Sequence, residues 1–137
     1  RRKKMKNEDK QQKYIEFQMA SQQLNKLNQH FSLITSKVLE LKNLDQSLSD
    51  LESVKLNEEI LVPFGAGILI KASIKDSKDV LMNVGSDIVV EKSTSDSKKL
   101  IQQQITELET ALEETEKEII NLGTGLEMLK KELEDSA

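Results

Sequence analysis

EEILVPFGAGILIKASIKD, Glu58–Asp76, lies near the middle of a chain whose flanks read as long charged helices. It holds the only proline, Pro63, two of the five glycines, and a dense set of β-branched residues. Ile68, Ile70, Ala72 and Ile74 alternate with Leu69, Lys71, Ser73 and Lys75, the period-two signature of a strand with one buried face. Pro63 cannot donate to a ladder and belongs at an edge or a bulge. Working outward, strands are predicted at Ile60–Phe64, Gly67–Ile74, Asp79–Val84 and Ile88–Lys92. Gly65-Ala66-Gly67, Lys75-Asp76-Ser77-Lys78 and Gly85-Ser86-Asp87 mark the turns between them. Four short strands with open edges and little cover invite pairing with other chains; the alternative is a small sheet capping its own helices.

On the N-terminal side the period changes. Phe17, Ala20, Leu24, Leu27, Phe31, Ile34, Val38 and Leu41 follow spacings of 3 and 4 without a break, a heptad seam that argues for a coiled coil over disorder. Asp45 falls on the next seam position, so a register shift onto Leu44, Leu48 and Leu51 is expected. No glycine or proline precedes Pro63, and the helix is predicted to run to about Leu56. At ~1.5 Å per residue that is on the order of 65–75 Å. On the C-terminal side Ile101, Ile105, Leu108, Leu112, Thr115, Ile119, Leu122, Leu126, Leu129 and Leu133 repeat the pattern, predicting a helix from about Ser95 to Glu134. Ser93, Ser95 and Asp96 are all plausible N-caps for it.

Two seams of similar length joined by a short segment should pair with each other as an antiparallel hairpin. The charge distribution agrees, since that pairing brings the basic RRKK start near the acidic KKELEDSA end. The expected fold is α+β: a long antiparallel two-helix coiled coil with a four-strand, two-hairpin β insert. Residues 1–57 form the first arm, 58–93 the β region and 94–137 the second arm, within one domain overall.

Composition narrows the function. The 137 residues are 32% charged and 3% aromatic, with a mean hydropathy of −0.51. Such a chain struggles to bury an interior of its own, and suits long helices instead. Cysteine is absent and His30 stands alone, which excludes disulfides and thiolate or imidazole metal clusters. No apolar run approaches the ~20 residues of a membrane span. A cytoplasmic protein with no membrane partner is the expectation. Gly65-Ala66-Gly67 precedes a strand rather than a helix N-terminus, so it reads as a turn and not a phosphate cradle. Asp76, Asp79 and Asp87 are spread over turns and lack calcium-loop spacing. Glu113, Glu114, Glu116 and Glu118 read as a solvated helix face. The basic N-terminal run lacks the aromatic interleaving of a nucleic-acid site, and no specific nucleic acid is expected. No active site, cofactor or metal is implied, and the chain is not read as an enzyme.

The ordered set LVP-x-GAG, I-K-A-x-I-K-D, the Val84–Gly85 turn and VVEK leading into a second coiled-coil arm resembles an archaeal-type alpha-class subunit of the prefoldin family. The resemblance implies two alpha-class with four beta-class subunits, their strands forming an intersubunit β-barrel. It also implies ATP-independent capture of non-native client proteins at coiled-coil tips and their delivery to a group II chaperonin. The residues expected to build the barrel are Ile60, Val62, Phe64, Ile68, Ile70, Ile74, Val80, Met82, Val84, Ile88 and Val90. Those expected to meet clients are Tyr14, Ile15, Phe17, Met19, Ile120, Met128, Leu129 and Leu133, apolar residues close to the arm ends. Their alternative reading is a wider coiled-coil core. Gly123 and Gly125 should soften the helix there. The rival function is a filament- or scaffold-forming protein of the gamma-type prefoldin kind.

Overall fold

The computed structural model describes residues 6–135; the RRKK run lies outside them. The element order is α1 (Asn7–Ser53), β1 (Glu59–Gly65), β2 (Ile68–Ser73), β3 (Asp79–Asn83), β4 (Val89–Ser93) and α2 (Thr94–Asp135). Two compact units divide it. One contains the chain up to Val38 together with Leu108 onward; the other runs from Leu39 to Glu107.

In the first unit α1 and α2 pair along their seams. Phe17, Ala20, Leu24, Leu27 and Phe31 are half-buried, and Ile34 and Val38 are buried. Opposite them Leu108, Leu112, Ile119, Leu122, Leu126, Leu129 and Leu133 are half-buried, and Thr115 is buried. Thr115 is tolerated in this apolar row because its hydroxyl donates to the Ala111 carbonyl at 2.8 Å, one turn back. Lys13 forms an ion pair with Glu132, which fixes the antiparallel sense at this end.

The second unit holds the remaining seam and the β insert. Leu41, Leu48, Ile101 and Ile105 are buried. The expected register shift comes one turn later than predicted. Asp45 stays in the seam, half-buried, and accepts a hydrogen bond from the Gln102 amide at 3.2 Å. Past the buried Leu48 the half-buried Leu51 takes the row, and Glu52, next in the unshifted phase, is exposed. Leu44, proposed for the shifted stripe, is 41% exposed. A polar partner across the seam keeps Asp45 in phase, and the stripe moves only at Leu51.

Helix α1 ends three residues before the predicted Leu56. The chain turns at Lys55–Glu58, with the Glu58 N–H donating to the Lys55 carbonyl at 3.2 Å. Asn57 takes a left-handed conformation, φ 67°, which asparagine tolerates better than most residues. Its N–H donates to the Ile74 carbonyl at 2.9 Å and clasps the base of the first hairpin. At the other end β4 runs into α2 with no intervening residue. Ser93 is the N-cap, its Oγ accepting from the Asp96 N–H at 3.0 Å.

The strands form two separate antiparallel hairpins, β1 with β2 and β3 with β4. In the first, Ile60 faces Ala72 and Val62 faces Ile70; the register shifts between Pro63 and Gly65, placing the proline beside a bulge as its missing donor requires. Both hairpins close on three consecutive residues of positive φ, Gly65 to Gly67 in one and Gly85 to Asp87 in the other, with Ala66-Gly67 and Ser86-Asp87 as the central pairs of the turns. That is the type I′ geometry whose twist matches paired strands. The Thr94 N–H donates to the Lys78 carbonyl at 2.7 Å, and its hydroxyl to that of Ser77 at 2.9 Å. These bonds tie the base of the second hairpin to the start of α2.

Candidate functional site

The β insert is the first candidate surface. Of the residues expected to assemble, Ile60, Val62, Ile74, Val80 and Met82 are half-buried, whereas Phe64, Ile68, Ile70, Val84, Ile88 and Val90 are exposed. The single buried face read from Ile68, Ile70, Ala72 and Ile74 is therefore only partly formed: Ala72 and Ile74 are half-buried, and nothing in one chain covers Ile68 and Ile70 toward the turn. Pairing brings Ile60, Val62, Ile70 and Ala72 onto one face of the first hairpin, and Val80, Met82, Val90 and Lys92 onto one face of the second.

Leu61, Leu69, Leu81 and Val89 are exposed on the opposite faces and were missed by the alternation argument. The signal was present, since Ile60-Leu61-Val62 and Ile68-Leu69-Ile70 are continuous apolar runs, the pattern of strands covered on both sides. Each hairpin has only two strands, so both outer edges keep unpaired backbone groups.

Between β3 and the helices lies an open apolar groove of about 390 Å³, lined by Leu44, Leu48, Val80, Met82, Ser97 and Ile101 among others. The Ser97 hydroxyl is buried there without a hydrogen-bond partner.

The arm ends are the second candidate surface. Tyr14, Ile15, Met19, Ile120 and Met128 are exposed, while Phe17, Leu129 and Leu133 belong to the seam. Tyr14 and Ile15 line one shallow groove with Asn7, Lys10 and Gln11. Met128 lines another with Thr124, Glu127, Lys130, Lys131 and Glu134. The Lys13–Glu132 pair puts Tyr14, Ile15 and Met19 level with the last turns of α2, Met128 included. Ile120 lies two turns earlier in α2 and is not gathered with them.

Of the aspartates read as turn formers, Asp76 and Asp87 act as such, whereas Asp79 begins β3, paired with Ser93. Asp76 accepts from the N–H groups of Lys78 at 2.8 Å and Asp79 at 3.3 Å, and Asp87 holds a positive φ in its turn. The carboxylates of Asp76, Asp79 and Glu91 come within 4.8 Å of one another on the exposed surface. Among the described residues no helix is long and apolar enough to cross a membrane.

Comparison with known proteins places this architecture. The chain is 36% identical over 66 residues to the prefoldin subunit alpha of Methanococcus maripaludis, 48% of this chain and 44% of that protein. It is 38% identical over the same length to the prefoldin subunit alpha of Methanococcus aeolicus. The matched stretch thus spans less than half the length of these relatives. The fold is similar to the cryo-EM structure of filamentous PFD from Methanocaldococcus jannaschii, with a TM-score of 0.70 at 22% identity, covering 84% of this chain and 95% of that one. The family model described as Prefoldin subunit matches residues 20–137. With two long helices enclosing two β-hairpins, and that match running over most of its length, the chain belongs to the prefoldin family.

Proposed function

We propose that the chain is an alpha-class subunit of a cytoplasmic, ATP-independent holdase that captures non-native proteins at the ends of its helices and delivers them to a group II chaperonin. The observation that carries this reading is the set of apolar side chains exposed at the arm end, Tyr14, Ile15, Met19 and Met128, beside a seam that is already complete without them. A coiled coil needs only its seam, and exposed apolar residues beyond it suit contact with other chains. Phe17, Leu129 and Leu133 join that surface when the end of the coil opens. Assembly falls to residues 58–93, whose open edges and two-sided apolar strands suit a barrel built with beta-class subunits, two alpha with four beta.

Deleting residues 1–19 together with 121–137 tests the division of labour. The shortened chain should still form a complex with a beta-class partner but no longer suppress aggregation of an unfolded client. Suppression at the wild-type level would overturn the assignment of the arm ends.

A second reading, a filament or scaffold, is favoured by the hairpins' unpaired outer edges, which can extend a sheet in either direction. It is also supported by the likeness to a protein described as filamentous. Light scattering of the chain, alone and with a beta-class partner, separates the two: a closed complex of fixed mass supports the holdase, and mass growing with concentration supports the filament.

A further inference from the structure

Helix α2 has a surface in the first unit that the seam does not use. In heptad terms it consists of three outward positions: Glu113, Ile120, Glu127 and Glu134; Glu114, Asn121, Met128 and Asp135; and Lys117, Thr124 and Lys131. Every one of these residues is exposed. Two of them are large apolar side chains, Ile120 at 59% and Met128 at 62% exposure. They stand eight residues apart, so about two helical turns separate them along one side of α2. Around them five carboxylates face two ammonium groups. Carboxylates also border this face, with Glu109, Glu116 and Glu118 on the positions flanking the seam, against Lys130; Glu132, on the same flank, is paired with Lys13. The two apolar side chains therefore stand in a field of negative sign. The charge decides which apolar ligand fits, because a like-charged segment is repelled before its side chains reach Ile120 or Met128.

We propose that this outward face of α2 docks cationic amphipathic segments, stretches of non-native chain in which lysine or arginine lies within a turn of a bulky apolar residue. The assignment rests on the holdase reading and narrows it to a client class. Ile120 and Met128 supply the anchors, methionine adapting its shape to different side chains. Glu113, Glu114 and Glu127 supply the sign, which raises the association rate and rejects acidic segments. Lys117 and Lys131 lie one turn from Glu113 and Glu127 and offset part of the field. The preference is accordingly graded and sensitive to salt.

The test titrates the full chain with three short fluorescent peptides: one of leucine and lysine, one of leucine and glutamate, and one of glycine and lysine. Each exposed ion pair contributes a factor of roughly two, so three of them should make the leucine–lysine peptide bind about tenfold more tightly than the leucine–glutamate one at low salt. The triple variant Glu113→Gln, Glu114→Gln, Glu127→Gln should lose that preference. A control of equal charge change in the hairpins, Glu59→Gln, Asp87→Asn, Glu91→Gln, should keep it. Ile120→Ala with Met128→Ala should weaken the leucine–lysine peptide while leaving the glycine–lysine peptide unchanged. Equal binding of the two leucine peptides overturns the proposal. So does equal loss in the control variant, or glycine–lysine binding as tight as leucine–lysine.

Aggregation assays with reduced lysozyme, a basic client, and reduced α-lactalbumin, an acidic one, separate this from the parent reading. Equal protection of both overturns the charge preference and leaves the holdase standing. Peptide preference without protection of either overturns the holdase and leaves the face standing.

Discussion

Replacing Gly123 and Gly125 by alanine tests how the end of the coil is held. Both glycines lie inside α2, neither has a positive φ, and a Cβ built on either meets nothing within 4 Å. The folded state can therefore take both methyl groups without displacing a neighbour. Alanine is favoured over glycine in a helix interior by about 1 kcal/mol, chiefly because the unfolded chain loses freedom. Residues two apart on a helix do not face each other, so the two gains should add to about 2 kcal/mol. Between the glycines, the Thr124 hydroxyl donates back to the Ile120 carbonyl at 2.9 Å, a bond that tends to bend a helix. Three consecutive poor helix formers thus precede Leu126, Leu129 and Leu133. Local opening of that segment should become about thirtyfold rarer in the double variant, since each 1.4 kcal/mol is a factor of ten. Hydrogen exchange with mass spectrometry reads this directly: amides of residues 122–133 should gain protection and those of 101–112 should not. Unchanged or reduced protection would refute the reasoning, because it would mean that the methyl groups are rejected or that opening does not pass through this segment.

Four further substitutions probe the second unit and the seam. Asp45→Leu should stabilise the chain by about 1 kcal/mol: half-burying a leucine gains roughly 1 kcal/mol, helix propensity adds a few tenths, and one exposed hydrogen bond is lost. Urea titration of the helical signal at several protein concentrations checks it, and a fall in stability would show that the Asp45–Gln102 pair contributes more than an apolar layer. Ser97→Ala removes a buried hydroxyl that has no partner and should raise the thermal midpoint, by about 1 kcal/mol in stability. Leu41→Ala, at 5% exposure, should cost about 2–4 kcal/mol, against less than about 0.5 for Leu33→Ala at 70% exposure. Similar losses at the two sites would contradict the assigned seam.

What could be read from the sequence differed by element. Both seams were legible because a spacing of 3 and 4 sustained over many turns has one cheap solution, a paired helix. The shift of stripe was placed one turn too early, at Leu44 rather than Leu51, because a charge on an apolar row looks like the change of register itself. Only a partner on the other helix, Gln102, explains why Asp45 stays. The choice of Ser93 as N-cap depended on where β4 stopped, a tertiary matter that local propensity cannot settle. In the hairpins the turns were readable from Gly65-Ala66-Gly67 and Gly85-Ser86-Asp87, but the second apolar face was not. Alternation was sought where Leu61 and Leu69 make the runs continuous. The residues proposed for the arm ends were chosen as apolar positions beyond the seam; Tyr14, Met19 and Met128 lie exposed off it, whereas Phe17, Leu129 and Leu133 are seam residues.

The junction at Thr94 has a mechanical consequence. Five residues, 54–58, separate α1 from β1, so tension applied to that helix can be absorbed by straightening the connection. On the other side β4 passes directly into α2, and both the N–H and the hydroxyl of Thr94 hold the carbonyls at the start of the hairpin. A load on α2 therefore reaches the strands without slack. Pulled from its two ends, the chain should unzip first at the Lys13–Glu132 end. When the load reaches the insert, the α1 side should yield before the β3–β4 hairpin and the first turn of α2, which give way together as one stiff element.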